Sequence, residues 1–174
     1  MDVVRRSKRL SYVLRHAPGS IGLTLDAAGW ADVDALLAAL GWSWGELERV
    51  VATNGKRRFA FDPTGTRIRA SQGHSVAVDL GYAAEDPPPV LFHGTAERTL
   101  PAIEAEGLRP GRRHAVHLSP DAATARRVGA RHGRAVVLRV DAAGLAAVGA
   151  VLTRSANGVW LVDAVPPSFL AVVA

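Results

Sequence analysis

Apolar positions in the first half of the chain recur at helical spacing and then give way to alternation. Val3, Val4, Leu10, Val13 and Leu14 fall three and four residues apart between Val3 and Arg15, with Pro18 just beyond, which predicts a helix. Leu23-Thr24-Leu25 reads as a short strand, and Asp26-Ala27-Ala28-Gly29 as a turn leading to Trp30. Asp32 is placed to cap a second helix through Val33, Leu36, Leu37 and Leu40. A third begins near Ser43, carries Leu47, Val50 and Val51, and stops at Asn54-Gly55. Arg58-Phe59-Ala60-Phe61 and Arg67-Ile68-Arg69-Ala70 alternate in character around Asp62-Pro63-Thr64-Gly65, the pattern of a β-hairpin.

Glu85-Asp86-Pro87-Pro88-Pro89 interrupts this order, because three prolines continue neither a helix nor a central strand. The expected lobes are therefore residues 1–86 and 87–174. Beyond the prolines, Val90-Leu91-Phe92 predicts a strand ending at His93-Gly94-Thr95, and Leu100 to Glu106 a helix closed by Gly107. A strand over Ala115 to Leu118 is followed by Ser119-Pro120-Asp121 as a helix start with proline in the first turn, ending within Gly129 to Gly133. Ala135 to Val140, Val151 to Thr153, Val159 to Val162 and Phe169 to Val173 read as strands, and Ala142 to Ala150 as a helix. The expected class is α+β: helices with a β-ribbon, of the winged-helix kind, then a β-rich lobe.

Composition supports a folded globular chain of 174 residues, 48% hydrophobic and 21% charged, and excludes a disordered tail or collagen-like repeat. With no cysteine, disulfides, thiolate nucleophiles and cysteine-based metal sites are excluded, and a reducing cytoplasm is the expected compartment. No apolar run approaches the roughly 20 residues that cross a bilayer, and the basic start Arg5-Arg6-Ser7-Lys8-Arg9 leads into no apolar signal core. The formal charge of +5 rests on 19 arginines and two lysines. Its distribution matters more. Residues 109–139 hold eight arginines against one acid, Asp121, which suits a polyanion or simply a solvated basic face.

Four constellations carry chemistry. Arg15-His16 sits at a helix end, where it faces an anion or the negative helix terminus. Arg67 and Arg69 share one strand face and lead into the donor-rich Ser71-Gln72-Gly73-His74-Ser75, and arginine forks match a phosphate bidentately. His93-Gly94-Thr95 and His117-Leu118-Ser119 end successive strands, and glycine there allows close approach of a ligand to the backbone. Ser155-Ala156-Asn157-Gly158 forms a turn before the last strands. No H-E-x-x-H, Walker loop, G-x-G-x-x-G or G-x-S-x-G is present, so zinc is set aside, and any nucleotide binds outside the P-loop and Rossmann solutions.

In this order, Ser7-Lys8-Arg9-Leu10-Ser11 through Leu14-Arg15-His16, Gly29-Trp30, Arg69 to Ser75, Leu91-Phe92-His93-Gly94-Thr95, Val116-His117-Leu118-Ser119 and Ser155-Ala156-Asn157-Gly158-Val159 resemble the RNA 2′-phosphotransferase family. The resemblance spans nearly the whole chain. It implies an N-terminal winged-helix lobe holding RNA and a C-terminal lobe of the ADP-ribosyltransferase type holding NAD⁺, in RNA processing of the tRNA-splicing kind. The implied reaction removes an internal RNA 2′-phosphate in two steps, through a 2′-phospho-ADP-ribosylated RNA. Its products are 2′-hydroxyl RNA, nicotinamide and ADP-ribose 1″,2″-cyclic phosphate. By family likeness Arg15, His16, Arg69 and Arg113 form the catalytic set, and Arg15, His16, Arg67 and Arg69 bind the phosphate.

Arginine stands at 67 where the family pattern also accommodates lysine. Arg113 is preferred to its neighbour Arg112 because it stands four residues before His117, which strand alternation would turn to the same face. His93, Gly94, Thr95, His117, Ser119, Ser155, Asn157 and Gly158 are the implied NAD⁺ set. Val159, where protein-modifying relatives of the fold carry an acid, suits a nucleophile that is already a charged phosphate. The expected protein is a monomer needing no metal, with RNA bearing a 2′-phosphate and NAD⁺ as partners. The alternatives are an ADP-ribosyltransferase acting on terminal phosphates of RNA or DNA, and a winged-helix binding protein with a structural second lobe.

Overall fold

A computed structural model describes residues 2–173. The chain divides into two compact units, Met1–Gly81 and Tyr82–Ala174. Residues 84 and 85 join the second: Ala84 bridges Thr153, and the Glu85 N–H donates to the Leu152 carbonyl at 2.9 Å.

The first unit runs α1 (Val3–Arg15), a 3₁₀ turn (Pro18–Ile21), β1 (Ala31–Asp32), α2 (Val33–Leu40), α3 (Trp44–Ala52), β2 (Phe59–Phe61) and β3 (Arg67–Ala70). The predicted cap at Asp32 forms, and the helix expected to begin near Ser43 is capped by that residue. The Asp32 carboxylate accepts from the Ala35 N–H at 2.8 Å, and Ser43 and Glu46 make a reciprocal capping box on α3. The strands form one antiparallel sheet in the order β1-β3-β2, with Phe59 opposite Ala70 and Ala31 opposite Ile68. Leu10, Val13, Leu14, Leu36, Leu47, Val50 and Ile68 close the core at 1% exposure or less. Truncating one of the leucines to alanine costs on the order of 2–5 kcal/mol.

Leu23-Thr24-Leu25 is no strand. The segment buries Leu23 without joining a ladder, and the sheet's third strand is the two-residue β1 beyond the turn.

The second unit contains β4 (Val90–Ala96), α4 (Leu100–Glu106), β5 (Val116–Leu118), α5 (Ala122–Gly129), β6 (Ala135–Asp141), α6 (Ala142–Ala147), β7 (Thr153–Arg154), β8 (Trp160–Val162) and β9 (Leu170–Val172). Two antiparallel three-stranded sheets result, β4-β6-β9 and β5-β8-β7, stitched by paired backbone bonds between Phe92 and Ser119. Their shared core includes Leu91, Leu118, Leu138, Val140, Leu152 and Trp160.

Two expectations shift here. Strand β4 does not end at His93, because seven consecutive residues pair with β6, from Val90 opposite Asp141 to Ala96 opposite Ala135. Pro120 lies before the cap rather than in the first turn of α5: Asp121 is the N-cap, accepting from the Thr124 N–H at 2.7 Å. Mixed α/β content in small antiparallel sheets fits the α+β class.

Candidate active site

In the first unit, the segment after β3 folds back on the end of α1. The Arg15 carbonyl accepts from the N–H groups of Ser75 (2.9 Å) and Val76 (3.3 Å), and the Ser75 hydroxyl lies 2.9 Å from His16 Nδ1. Between them Gly73 adopts φ +88°, and the Arg15 side chain lies against it, 3.7–3.9 Å from where a Cβ would stand. Glycine is required there for its left-handed conformation, since a Cβ would meet only ordinary contacts with the arginine. A cation in the last turn of α1 is favoured by the helix terminus, while the His16 side remains exposed to solvent.

Strand β3 alternates as expected. Ile68 and Ala70 are buried, while Arg67 and Arg69 share the other face, both over the Trp30 ring at 5.6 and 4.4 Å from its centre. The two differ in their partners. Arg67 pairs with Asp62 (3.4 Å) and Asp26 (3.5 Å), so carboxylates offset its charge. Arg69 donates to the carbonyls of Leu80 (3.1 Å) and Ala28 (3.3 Å), contacts that orient the fork without cancelling charge. The Arg67 backbone N–H, foremost, holds the Asp62 carboxyl below the usual range. Trp30 is the platform that residue-by-residue chemistry missed, and its only signal was its place in the Gly29-Trp30 string.

In the second unit, His93 sits within β4, with Nδ1 3.0 Å from the His117 carbonyl, and His117 Nδ1 lies 2.9 Å from the Ala115 carbonyl. A carbonyl only accepts, so both rings carry hydrogen on Nδ1, and a neutral ring presents Nε2 as an acceptor. Burial foremost, and secondarily the Arg113 charge, push the His93 pKa below its ordinary value, against the hydrogen bond to the carbonyl.

Arg113 lies in the loop before β5, so alternation does not relate it to His117. Its influence on His93 places it nearby, and desolvation together with Arg131 lowers its own pKa.

Gly94 makes room for α5: a Cβ there would stand 1.7 Å from the Ala125 carbonyl oxygen. Thr95 is buried, its hydroxyl 2.6 Å from that of Thr99. Ser155 closes the β7–β8 turn, its hydroxyl 2.8 Å from Asn157 Oδ1 and accepting from the Val159 N–H at 3.0 Å, with Gly158 at φ +80°. Because Leu118 pairs with Trp160 and His117 with Leu161, that turn and Ser119 lie at one end of the β5-β8-β7 sheet. Among the described residues no three side chains of the His, Asp, Glu or Cys type gather as metal ligands, and no helix is long and apolar enough to cross a membrane.

Residues 2–164 match the family model described as RNA 2′-phosphotransferase, Tpt1 / KptA family. The chain belongs to this family. It is 59% identical over 172 residues to a protein of Streptomyces coelicolor named "Probable RNA 2′-phosphotransferase", covering 96% of this chain and 93% of the relative. Proteins of the same name from Agrobacterium fabrum and Herpetosiphon aurantiacus are 57% and 53% identical, each over 97% of this chain and over 93% and 96% of the relatives. All twelve site residues expected from the RNA 2′-phosphotransferase pattern, together with Arg67, fall inside the matched span.

Proposed function

We propose that this chain is an NAD⁺-dependent RNA 2′-phosphotransferase, with a winged-helix lobe for RNA and an ADP-ribosyltransferase-like lobe for NAD⁺. The observation that carries the reading is the turn after β3, which seats Arg15 against Gly73 and joins His16 to Ser75 in a chain matching the family over residues 2–164. The order of helices and strands in the first unit, with β1 pairing to β3 ahead of α2, supports the winged-helix assignment.

As co-substrate, NAD⁺ supplies an anomeric carbon whose nicotinamide departs with the bond electrons and, afterwards, a ribose 2″-hydroxyl that takes the phosphoryl group while its proton passes to the RNA 2′-oxygen. The protein's part is positioning and charge. Arg15 and His16 hold the RNA 2′-phosphate, and Arg69, oriented by two carbonyls, offers a fork to its oxygens. Arg67, tied to two carboxylates, contributes field rather than a dedicated contact. Arg113 stabilises charge in the phosphoryl transfer.

The second unit's polar groups are those assigned here to the dinucleotide. His93 and His117 would take sugar hydroxyls, and Thr95, Ser119, Ser155, Asn157 and the backbone at Gly94 and Gly158 complete the set.

Incubation with an oligoribonucleotide carrying one internal 2′-phosphate, with and without NAD⁺, tests the reading by mass spectrometry. Loss of the phosphate only with NAD⁺, with ADP-ribose cyclic phosphate formed, is expected. Accumulation of ADP-ribosylated RNA would replace it with an ADP-ribosyltransferase, and no NAD⁺-dependent change would overturn both.

A further inference from the structure

A groove of about 570 Å³ lies along α1, lined by Arg5, Lys8, Arg9 and Tyr12 on one side and Ala39, Leu40 and Trp42 on the other. That volume is within the roughly 300–1,000 Å³ of small-ligand clefts, yet its lining is cationic and aromatic. Helix α1 carries no acid, and among the described residues none of Arg5, Lys8 and Arg9 forms an ion pair. Arg6, on the same helix, is committed elsewhere. It pairs with Glu46 and lies over the Trp42 ring at 5.3 Å from its centre, fixing the indole as a wall. Tyr12 is 48% exposed, with its ring 6.3 Å from that of His16.

The spacing 5, 8/9, 12, 16 is one helix face, about three turns long. It leads from the groove to the imidazole assigned above to the 2′-phosphate. Helix α3, by contrast, offers Glu46 and Glu48 against Arg49.

We propose that the α1 groove docks the single-stranded RNA flanking the modified nucleotide, with phosphates on Arg5, Lys8 and Arg9 and a base stacked on Tyr12. Charge complementarity selects the polyanion, and an exposed aromatic beside unpaired cations is the arrangement that holds single strands with little sequence preference. The direction of the strand, toward His16, rests on the proposed function; the groove's affinity for RNA does not.

The test uses the full chain, an Arg5→Ala/Lys8→Ala/Arg9→Ala variant and Tyr12→Ala, with circular dichroism confirming the fold. Binding of an unmodified RNA of about 12 nucleotides is followed by fluorescence anisotropy across a salt series. The triple variant is expected to bind at least about tenfold more weakly, and its slope of log affinity against log salt to shrink by about 2, three contacts at roughly 0.7 each. Tyr12→Ala is expected to lose about fivefold or more.

In turnover with NAD⁺, KM for a 2′-phosphorylated oligonucleotide of the same length rises in the triple variant while kcat holds, and a 2′-phosphorylated dinucleotide is processed as by wild type. Unchanged binding of unmodified RNA, an equal loss on the dinucleotide, or displacement by polyglutamate as effective as by RNA would overturn the proposal, the last in favour of an acidic protein partner. If wild type turns over neither substrate, the proposed function fails, and the anisotropy series still decides the groove.

Discussion

Gly73, after β3 in the first unit, holds φ +88° beneath the Arg15 guanidinium, whereas Gly94, inside β4 of the second, has a strand backbone and the carbonyl of Ala125 where a Cβ would go. Both stand in short polar strings that read alike as sequence. One glycine sets a backbone conformation beside a charged side chain, and the other lets a helix close on a sheet. Gly129, on α5, completes the second contact from the other side, since its own Cβ would meet the Thr95 carbonyl oxygen at 2.6 Å.

The sharpest way to break this comparison is Gly94→Ala. The methyl meets backbone on a packed helix, which no rotamer change relieves, so the cost lies at or above the roughly 3 kcal/mol end of overpacking. The expected outcome is loss of the cooperative unfolding of the second unit, or a fall in Tm of about 12 °C or more, by calorimetry. A variant melting within a few degrees of wild type would contradict the packing role.

Next in size is Arg69→Ala. Removing one preorganised charged donor costs about 10²–10³ in rate, with the fold retained because the side chain lies on the half-exposed face of β3. Arg69→Lys restores little, since a point charge reproduces neither the fork nor its bonds to Ala28 and Leu80. Arg67→Ala is expected to cost clearly less, because Asp26 and Asp62 already offset that charge. Single-turnover rates on the 2′-phosphorylated oligonucleotide separate the three, and equal losses at 67 and 69 would remove the distinction.

Gly73→Ala is the smaller counterpart of Gly94→Ala. Its Cβ meets only ordinary contacts, so the left-handed backbone is the cost, about 1–2 kcal/mol. Its activity should fall further than its stability does, because the strain is placed under Arg15. Urea unfolding set beside turnover measures this, and a stability loss matching that of Gly94→Ala would erase the contrast.

These cases also show what the sequence made legible. Helix α1, the cap at Asp32, the helix start near Ser43 and the β2–β3 hairpin were visible because each is decided within a few residues, by spacing, a side-chain oxygen or a turn. The extent of β4 was not, since His93-Gly94-Thr95 resembles a strand end until β6 pairs with it, more than forty residues on. Leu23 to Leu25 has strand chemistry but finds no ladder, and β1 is too short for any periodicity to register. At the site, the alternation of Arg67 and Arg69 was legible. The Trp30 platform and the Asp26 carboxylate that joins Asp62 on Arg67 were not, because they arrive from a turn distant in sequence.

The smallest effects separate the units by pH. The Arg6 guanidinium, bonded to Glu46, is the main reason that carboxyl is lowered from 4.5 to about 2, while burial is the main reason His93 falls below its ordinary 6.5. In both cases the unfolded chain takes up the proton first as pH falls, so both contribute stability that acid removes. For His93 the loss begins as pH drops below 6.5; for Glu46 it runs from 4.5 toward 2. His93→Gln should therefore narrow the gap to wild type between neutral pH and pH 5.5, and Glu46→Gln should narrow it only below pH 4.5. Tryptophan fluorescence during urea unfolding reads the two separately, since Trp30, Trp42 and Trp44 lie in the first unit and Trp160 in the second. A His93→Gln variant whose deficit against wild type stays constant from pH 7 to 5.5 would show that the imidazole is not held neutral by its burial in β4.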